Sequence, residues 1–260
     1  MTDNKTESGS SARAGRAGTA HASGDEPGFK KGEWLPPRMR KDVDISIPYS
    51  DPPTDKLMEF YAAWAENYDT DLIDAYGYMA PSDAVAGLMT LGLPADARIL
   101  DAGCGTGQAG ALMAAAGFNN LVGADLSPEM REVAARLGVY QSLYHLDMTA
   151  DYAPQIAEYA RPDDGPHDAP YDAPYDAVIC VGVFGYGPPH VGDLPRIMDA
   201  ARPGAPVLVT VNGKGWKKMG WYDSLMPVLD AAGVTLAARS RIRHMVAEGV
   251  HAELLELRRG

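Results

Sequence analysis

Two cysteines in 260 residues leave no room for a disulfide framework. They stand at Cys104 and Cys180, each inside an apolar motif, so neither a structural disulfide nor a metal site is expected. No apolar run approaches the roughly eighteen residues of a membrane-crossing helix. An apolar signal core is missing from the N-terminus. Together these absences predict a cytoplasmic protein without a membrane partner. Excess basic charge is missing too: 23 Lys and Arg stand against 35 Asp and Glu, a net charge of −12. Residues 1–46 hold 8 basic and 7 acidic side chains, and the remainder holds 15 and 28. A body that acidic repels phosphate backbones, so nucleic acid is not an expected partner.

What is present divides in two. Residues 1–45 read as a disordered tail, because residues 1–28 are rich in Ser, Gly, Ala and Thr and show no periodicity. Its basic patch, Lys30, Lys31, Arg38, Arg40 and Lys41, reads as a solvated linker. Residues 46–260 read as one catalytic domain, since 46% hydrophobic content supports one substantial core. Within it, residues 163–177 repeat the unit D-A-P-Y, which reads as an expanded surface loop.

The most informative stretch is Ile99-Leu100-Asp101-Ala102-Gly103-Cys104-Gly105-Thr106-Gly107-Gln108. An apolar strand runs into an acid, and three glycines follow at alternate positions. The backbone there must turn sharply and approach something closely. A helix opens directly after it, over residues 109–116. Strand, glycine loop and helix start together form a nucleotide cradle. Gly105 to Gly110 also fits the dinucleotide pattern G-x-G-x-x-G, but in poor register with the strand. Asp101 weighs further against a dinucleotide, because its carboxylate would face a pyrophosphate. A sulfonium and an ammonium would instead be attracted.

D-A-G-C-G-T-G resembles motif I of the class I S-adenosylmethionine-dependent methyltransferases. The neighbouring segments fit that resemblance. Residues 120–125 form a second apolar strand ending in Asp125, 18 residues after Gly107. An acid at that strand end can accept both ribose hydroxyls of the ligand. The plainer alternative is a helix cap. Ser127 and Pro128 follow as N-cap and first helical residue of a helix over 129–137. A third strand segment, 142–148, ends with Asp147 and Met148. By the resemblance, Asp147 receives the adenine amino group and Met148 packs on the ring; an ordinary strand-end turn is the alternative. The run 175–184 is a strand buried on both faces. Its end, near Val181, is expected beside the methionine part of the ligand.

Residues 60–71 carry F-Y-x-x-W-A-x-x-Y-D-x-D. Aromatic spacing of this kind ordinarily marks a packed helix face. The pattern is nevertheless similar to the N-terminal signature of the Williams–Beuren syndrome region methyltransferase family. The resemblance implies a helical lid or cap over 54–92, with Tyr61, Trp64 and Tyr68 closing over the cofactor. It also implies a cofactor set of Tyr68, Asp101, Gly103, Cys104, Gly105, Gly107, Asp125, Leu126, Asp147, Met148 and Val181.

Further strands at 205–212, 234–246 and 250–257, with helices at 194–201 and 216–232, complete the expected fold. That fold is α/β: a doubly wound, Rossmann-like sheet of seven strands, mostly parallel with an antiparallel C-terminal strand. The expected activity is direct displacement of a methyl group onto a small-molecule acceptor, with S-adenosylmethionine as cofactor. A base is needed only for a protonated acceptor, and His190, Tyr186 and His145 are the candidates. Asp51-Pro52-Pro53 is like the amino-group DNA methyltransferase motif but stands far from the fourth strand where that motif belongs. A protein methyltransferase, or a silent cofactor-binding module acting through a partner, remains open on sequence alone. A nicotinamide dehydrogenase is disfavoured by Asp101.

Overall fold

The structure is a computed structural model and describes residues 47–152, 154–155 and 175–260. The expected tail, its basic patch and most of the D-A-P-Y loop lie outside the described residues.

Seven strands form one sheet: β1 (Arg98–Ala102), β2 (Asn120–Asp125), β3 (Tyr140–His145), β4 (Ala177–Phe184), β5 (Val207–Asn212), β6 (Val234–Met245) and β7 (Val250–Arg259). Their order across the sheet is β3-β2-β1-β4-β5-β7-β6. β1 pairs in parallel with both β2 and β4, so the chain reverses its winding direction at β1. β7 inserts antiparallel between β5 and β6. The doubly wound, mostly parallel α/β sheet expected from the sequence is therefore the observed fold.

Side chains alternate across the sheet, which explains the continuous apolar runs. Ile99 and Ile179 face a core built with α3 (Ala80–Met89) and α4 (Gln108–Ala115). Leu100 and Val178 face the opposite core, filled by Leu194, Trp216 and Trp221. With helical layers on both faces, each central strand position must be apolar. Each such side chain, fully buried, contributes about 1.5–3 kcal/mol.

Before β1, residues Thr54–Trp64 form α1 and Tyr68–Tyr76 form α2, joined by a short 3-10 turn. The helix α5 (Pro128–Ala135) starts as expected: Ser127 is its N-cap and accepts from Met130 N–H at 3.2 Å.

Three segments differ from expectation. The helix expected at 194–201 is a 3-10 helix, Val191–Ala200, with Pro195 inside it. Pro195 has no N–H to donate to the carbonyl of Val191 and its ring crowds that carbonyl, which weakens the α-helical ladder there. The helix expected at 216–232 is two: α6 (Gly213–Lys218) and α7 (Trp221–Ala231). They part at Gly220, which adopts a left-handed φ of 69°. The third strand ends at His145, so Asp147 stands in the turn after it. No helix of the described residues is long and apolar enough to cross a membrane.

Candidate functional site

β1 ends beside β2, and the glycine loop folds back over the β2 end. Gly103 and Cys104 both donate their N–H to Ala124 O, at 2.7 and 3.0 Å. Gly105 has φ of 53°, and a Cβ built there would meet nothing within 4 Å. The open space before it is a cavity of about 140 Å³ at the sheet's switch point. Gly103, Cys104 and Gly105 all border that cavity. Gly107 does not. A Cβ at Gly107 would lie 2.6 Å from Leu137, so this glycine lets the start of α4 pack against the neighbouring chain.

Three acids ring the cavity. Asp101 is 1% exposed and accepts from the Tyr140 hydroxyl at 2.6 Å. Burial pushes its carboxyl up to about 7; the Tyr140 bond opposes this and the nearby Asp125 charge adds to it. Tyr140 reaches Asp101 over Gly110, where a Cβ would come within 2.1 Å of the phenol oxygen. Asp125 accepts from Gly105 N–H at 2.8 Å and Ser127 N–H at 2.9 Å. Burial raises its carboxyl, while those two N–H groups and Arg131 hold it down. Asp147 Oδ1 accepts from Thr149 N–H at 2.8 Å and from the Thr149 hydroxyl at 2.7 Å. Leu126, Met148 and Val181 supply apolar wall beside these acids. The Cys104 thiol is pushed up by burial and by both carboxylates, so it stays protonated and is no nucleophile.

The site is thus a cradle of carboxylates, Asp101 buried and Asp125 and Asp147 half-buried, with little cation to balance them. A ligand carrying positive charge would supply what the fold leaves out. A phosphate would meet Asp101 and Asp125 at close range.

The N-terminal helices cover this cavity. Tyr61 and Tyr68 border it. Trp64 does not: it is 5% exposed, and its indole N–H donates to Asp71 at 2.7 Å. Its ring also packs edge-on against Tyr68, centroids 4.8 Å apart. Asp69 ties α2 to the glycine loop, accepting from the Thr106 hydroxyl at 2.5 Å and Gln108 Nε2 at 2.7 Å. The sequence reading missed this tie. The D-x-D of the aromatic signature and the polar residues of the glycine loop were its only trace.

A second cavity, of about 100 Å³, adjoins the first. Tyr61, Tyr68, Tyr78, Gly182, Val183 and Pro188 border both. Of the three base candidates, Tyr186 alone borders the second cavity. His190 borders neither; it is exposed, with Nε2 3.5 Å from Asp51. His145 borders neither and is exposed at the end of β3. β3 stops there, and two residues on Asp147 N–H bonds to Gln155 instead of a neighbouring strand. His244 and Asn212, which no sequence signal marked, do border the second cavity.

Strand order and acid-lined switch-point cleft together define a class I S-adenosylmethionine-dependent methyltransferase. A family model described as a methyltransferase domain matches residues 68–249, and the chain belongs to that family. The chain is 44% identical over 88 residues to human methyltransferase-like protein 27. That match covers 33% of this chain and 36% of the relative, so it spans about a third of the relative's length. Among solved structures, the Burkholderia thailandensis 1,6-didemethyltoxoflavin-N1-methyltransferase, with bound 1,6-didemethyltoxoflavin and S-adenosylhomocysteine, superposes with a TM-score of 0.54. The match is 19% identical and covers 79% of this chain and 88% of that one. The [4+2]-cyclase SpnF superposes with a TM-score of 0.57 at 15% identity, covering 81% and 98%. At these identities the structures share the fold, and a cyclase among them shows that the fold leaves the reaction open.

Proposed function

We propose that the protein transfers a methyl group from S-adenosylmethionine to a small organic acceptor by direct displacement. The observation that carries this reading is the pairing of two adjoining chambers, one lined by acids and one by aromatics, under the same helices. A chamber covered by α1 and α2 suits a small molecule better than a polymer.

S-adenosylmethionine supplies a methyl group on a sulfonium, a good leaving group that needs neither a metal nor a covalent enzyme intermediate. Asp125 stands where ribose hydroxyls can donate to it, its carboxylate aimed by Gly105 and Ser127. Asp101, oriented by Tyr140, offers negative charge to the ammonium and sulfonium. Asp147, held by Thr149, accepts the adenine amino group while Met148 and Leu126 cover the ring. Tyr61 and Tyr68 act as a lid that excludes water and aligns the acceptor.

The test is a methyl-transfer screen with S-adenosylmethionine labelled at the methyl group. Small phenolic, heterocyclic and amine acceptors form one arm, and peptide and transfer-RNA mixtures the other. Label entering small acceptors is expected. Label entering only the polymers, or none in either arm with S-adenosylhomocysteine still bound, overturns the reading.

A further inference from the structure

β6 is the sheet edge, and most of its residues are exposed or half-exposed. His244 breaks that pattern at 4% exposed. The ladder with β7 slips there: Arg243 pairs with His251 and Met245 with Val250, which leaves His244 as the extra residue of a bulge. A bulge re-aims a side chain. This one turns His244 inward against Tyr78, ring centroids 5.2 Å apart. Met79 N–H closes over it by donating to the His244 carbonyl at 2.8 Å.

Asn212 fixes where the ring carries its hydrogen. Its Oδ1 accepts from Lys214 N–H at 2.9 Å and Gly215 N–H at 3.4 Å, as N-cap of α6. Its amide nitrogen therefore faces His244 Nε2, 3.0 Å away, and donates to it. Nε2 is then the lone-pair nitrogen, and the network assigns the hydrogen to Nδ1. Nδ1 is buried and has no partner among the described residues. A buried donor without a partner is costly, so each one calls for a functional or structural reason. Burial and the nearby Lys214 pull the imidazole down to about 4, so at neutral pH it offers an N–H and neither a charge nor a base.

The second chamber differs in character from the first. Tyr61, Trp64, Tyr68, Tyr78, Phe184 and Tyr186 line it. Among the described residues no carboxylate does, whereas Asp101, Asp125 and Asp147 line the first. Cations stand near instead. Lys218 Nζ lies 5.4 Å from the Tyr186 ring centroid, and Lys214 acts on His244. Aromatic walls favour a flat ring, and a donor set without carboxylates favours negative charge on it.

We propose that the second chamber takes a flat aromatic anion as methyl acceptor, and that His244 Nδ1–H binds an oxygen of that anion. This rests on the small-acceptor reading above. His244 is then a binding residue on the chamber wall that sets acceptor specificity, and Asn212 is the positioning residue that fixes which ring nitrogen carries the hydrogen.

Two naphthalene probes of opposite charge test it: 2-naphthoate and 2-naphthylmethylammonium, titrated into the full chain saturated with S-adenosylhomocysteine. Naphthoate is expected to bind at least about tenfold more tightly than the ammonium. His244→Phe should cut that preference to below about threefold while leaving S-adenosylhomocysteine affinity unchanged. In the wild-type chain labelled with 15N-histidine, His244 Nε2 should resonate as the unprotonated nitrogen, and its Nδ1–H should move as naphthoate is added. Equal binding of the two probes, no naphthoate binding, a preference that survives His244→Phe, or an unmoved Nδ1–H at saturation each overturns the proposal. The wild-type spectrum decides the matter if the variant does not fold. Loss of S-adenosylhomocysteine binding itself would strike the donor reading. Retained binding without probe discrimination strikes the acceptor proposal alone.

Discussion

The Thr106 hydroxyl donates to Asp69 across 2.5 Å and fastens the glycine loop to the first turn of α2. Gln108 shares the same carboxylate oxygen at 2.7 Å. Hydrogen bonds to a charged group are worth about 1.5–3 kcal/mol each. Asp69→Ala should therefore weaken S-adenosylhomocysteine binding by about that much and speed its dissociation in stopped-flow measurements. Asp69→Asn, which keeps an acceptor oxygen, should fall between. Glu66→Ala, which removes only an exposed ion pair with Arg136, is the control and should change nothing measurable. Full affinity in Asp69→Ala would mean that α2 merely rests on the loop.

Asp101 predicts a pH dependence with a definite sign. Its carboxyl is raised to about 7 in the folded protein by burial. Between the ordinary carboxylate value and about 7 the folded state holds a proton that the unfolded state has lost. Stability of the free protein should thus decline as pH rises through that window. Affinity for S-adenosylmethionine should rise over the same window, because the cation requires the ionised acid. Calorimetry at about pH 6.5 in buffers of differing ionisation heat should show proton release on binding. Tyr140→Phe removes the bond that lowers this carboxyl, so the midpoint should move up. An affinity that is flat between about pH 6 and 8 would refute this account.

Asp125 supports the loop as well as the proposed ribose contact. Asp125→Ala leaves the N–H groups of Gly105 and Ser127 without their acceptor. Thermal unfolding should report a loss of about 1–3 kcal/mol, and titration a loss of about 1.5–3 kcal/mol in S-adenosylhomocysteine affinity. A stability loss with affinity intact would reduce Asp125 to a brace for the loop and α5.

His190→Ala and His145→Ala should leave kcat/KM within about twofold of the parent enzyme, because both side chains are exposed and neither borders a chamber. Tyr186→Phe should instead alter KM for the acceptor and leave S-adenosylhomocysteine affinity unchanged. A large loss of kcat in either histidine variant would place the acceptor elsewhere.

The acid-lined cavity was legible in the sequence because its signals are local. Asp101, Asp125 and Asp147 each stand at or just past the end of a parallel strand, and parallel order carries such ends to one edge. Gly105 was legible for the same reason: strand, loop and helix follow in one short stretch. Gly107 shows the limit of that reasoning, since the pattern marks it with the others and tertiary packing gives it a different neighbour. The second cavity was not legible. His244 enters the chamber through a slip in strand pairing, and pairing register is not written in a single strand's sequence. Asp69 finds Thr106 37 residues away in sequence, a contact that only the assembled fold creates. The break at Gly220 was missed because an isolated glycine inside a helical pattern is often tolerated.

The stitching of the chain after α2 onto β6 has a kinetic consequence. Gly77 O accepts from Val246 N–H, and Met79 N–H donates to His244 O, so the C-terminal end of the cap is clamped to the sheet edge. The first turn of α2 is held at the glycine loop by Asp69. Tyr61 and Tyr68, just N-terminal to those fastenings, wall both chambers. One door therefore serves two rooms. On the proposed function, spent donor and methylated product would leave through the same opening event, and the expected pacing step of turnover is a loosening of α1 and α2 rather than two independent departures.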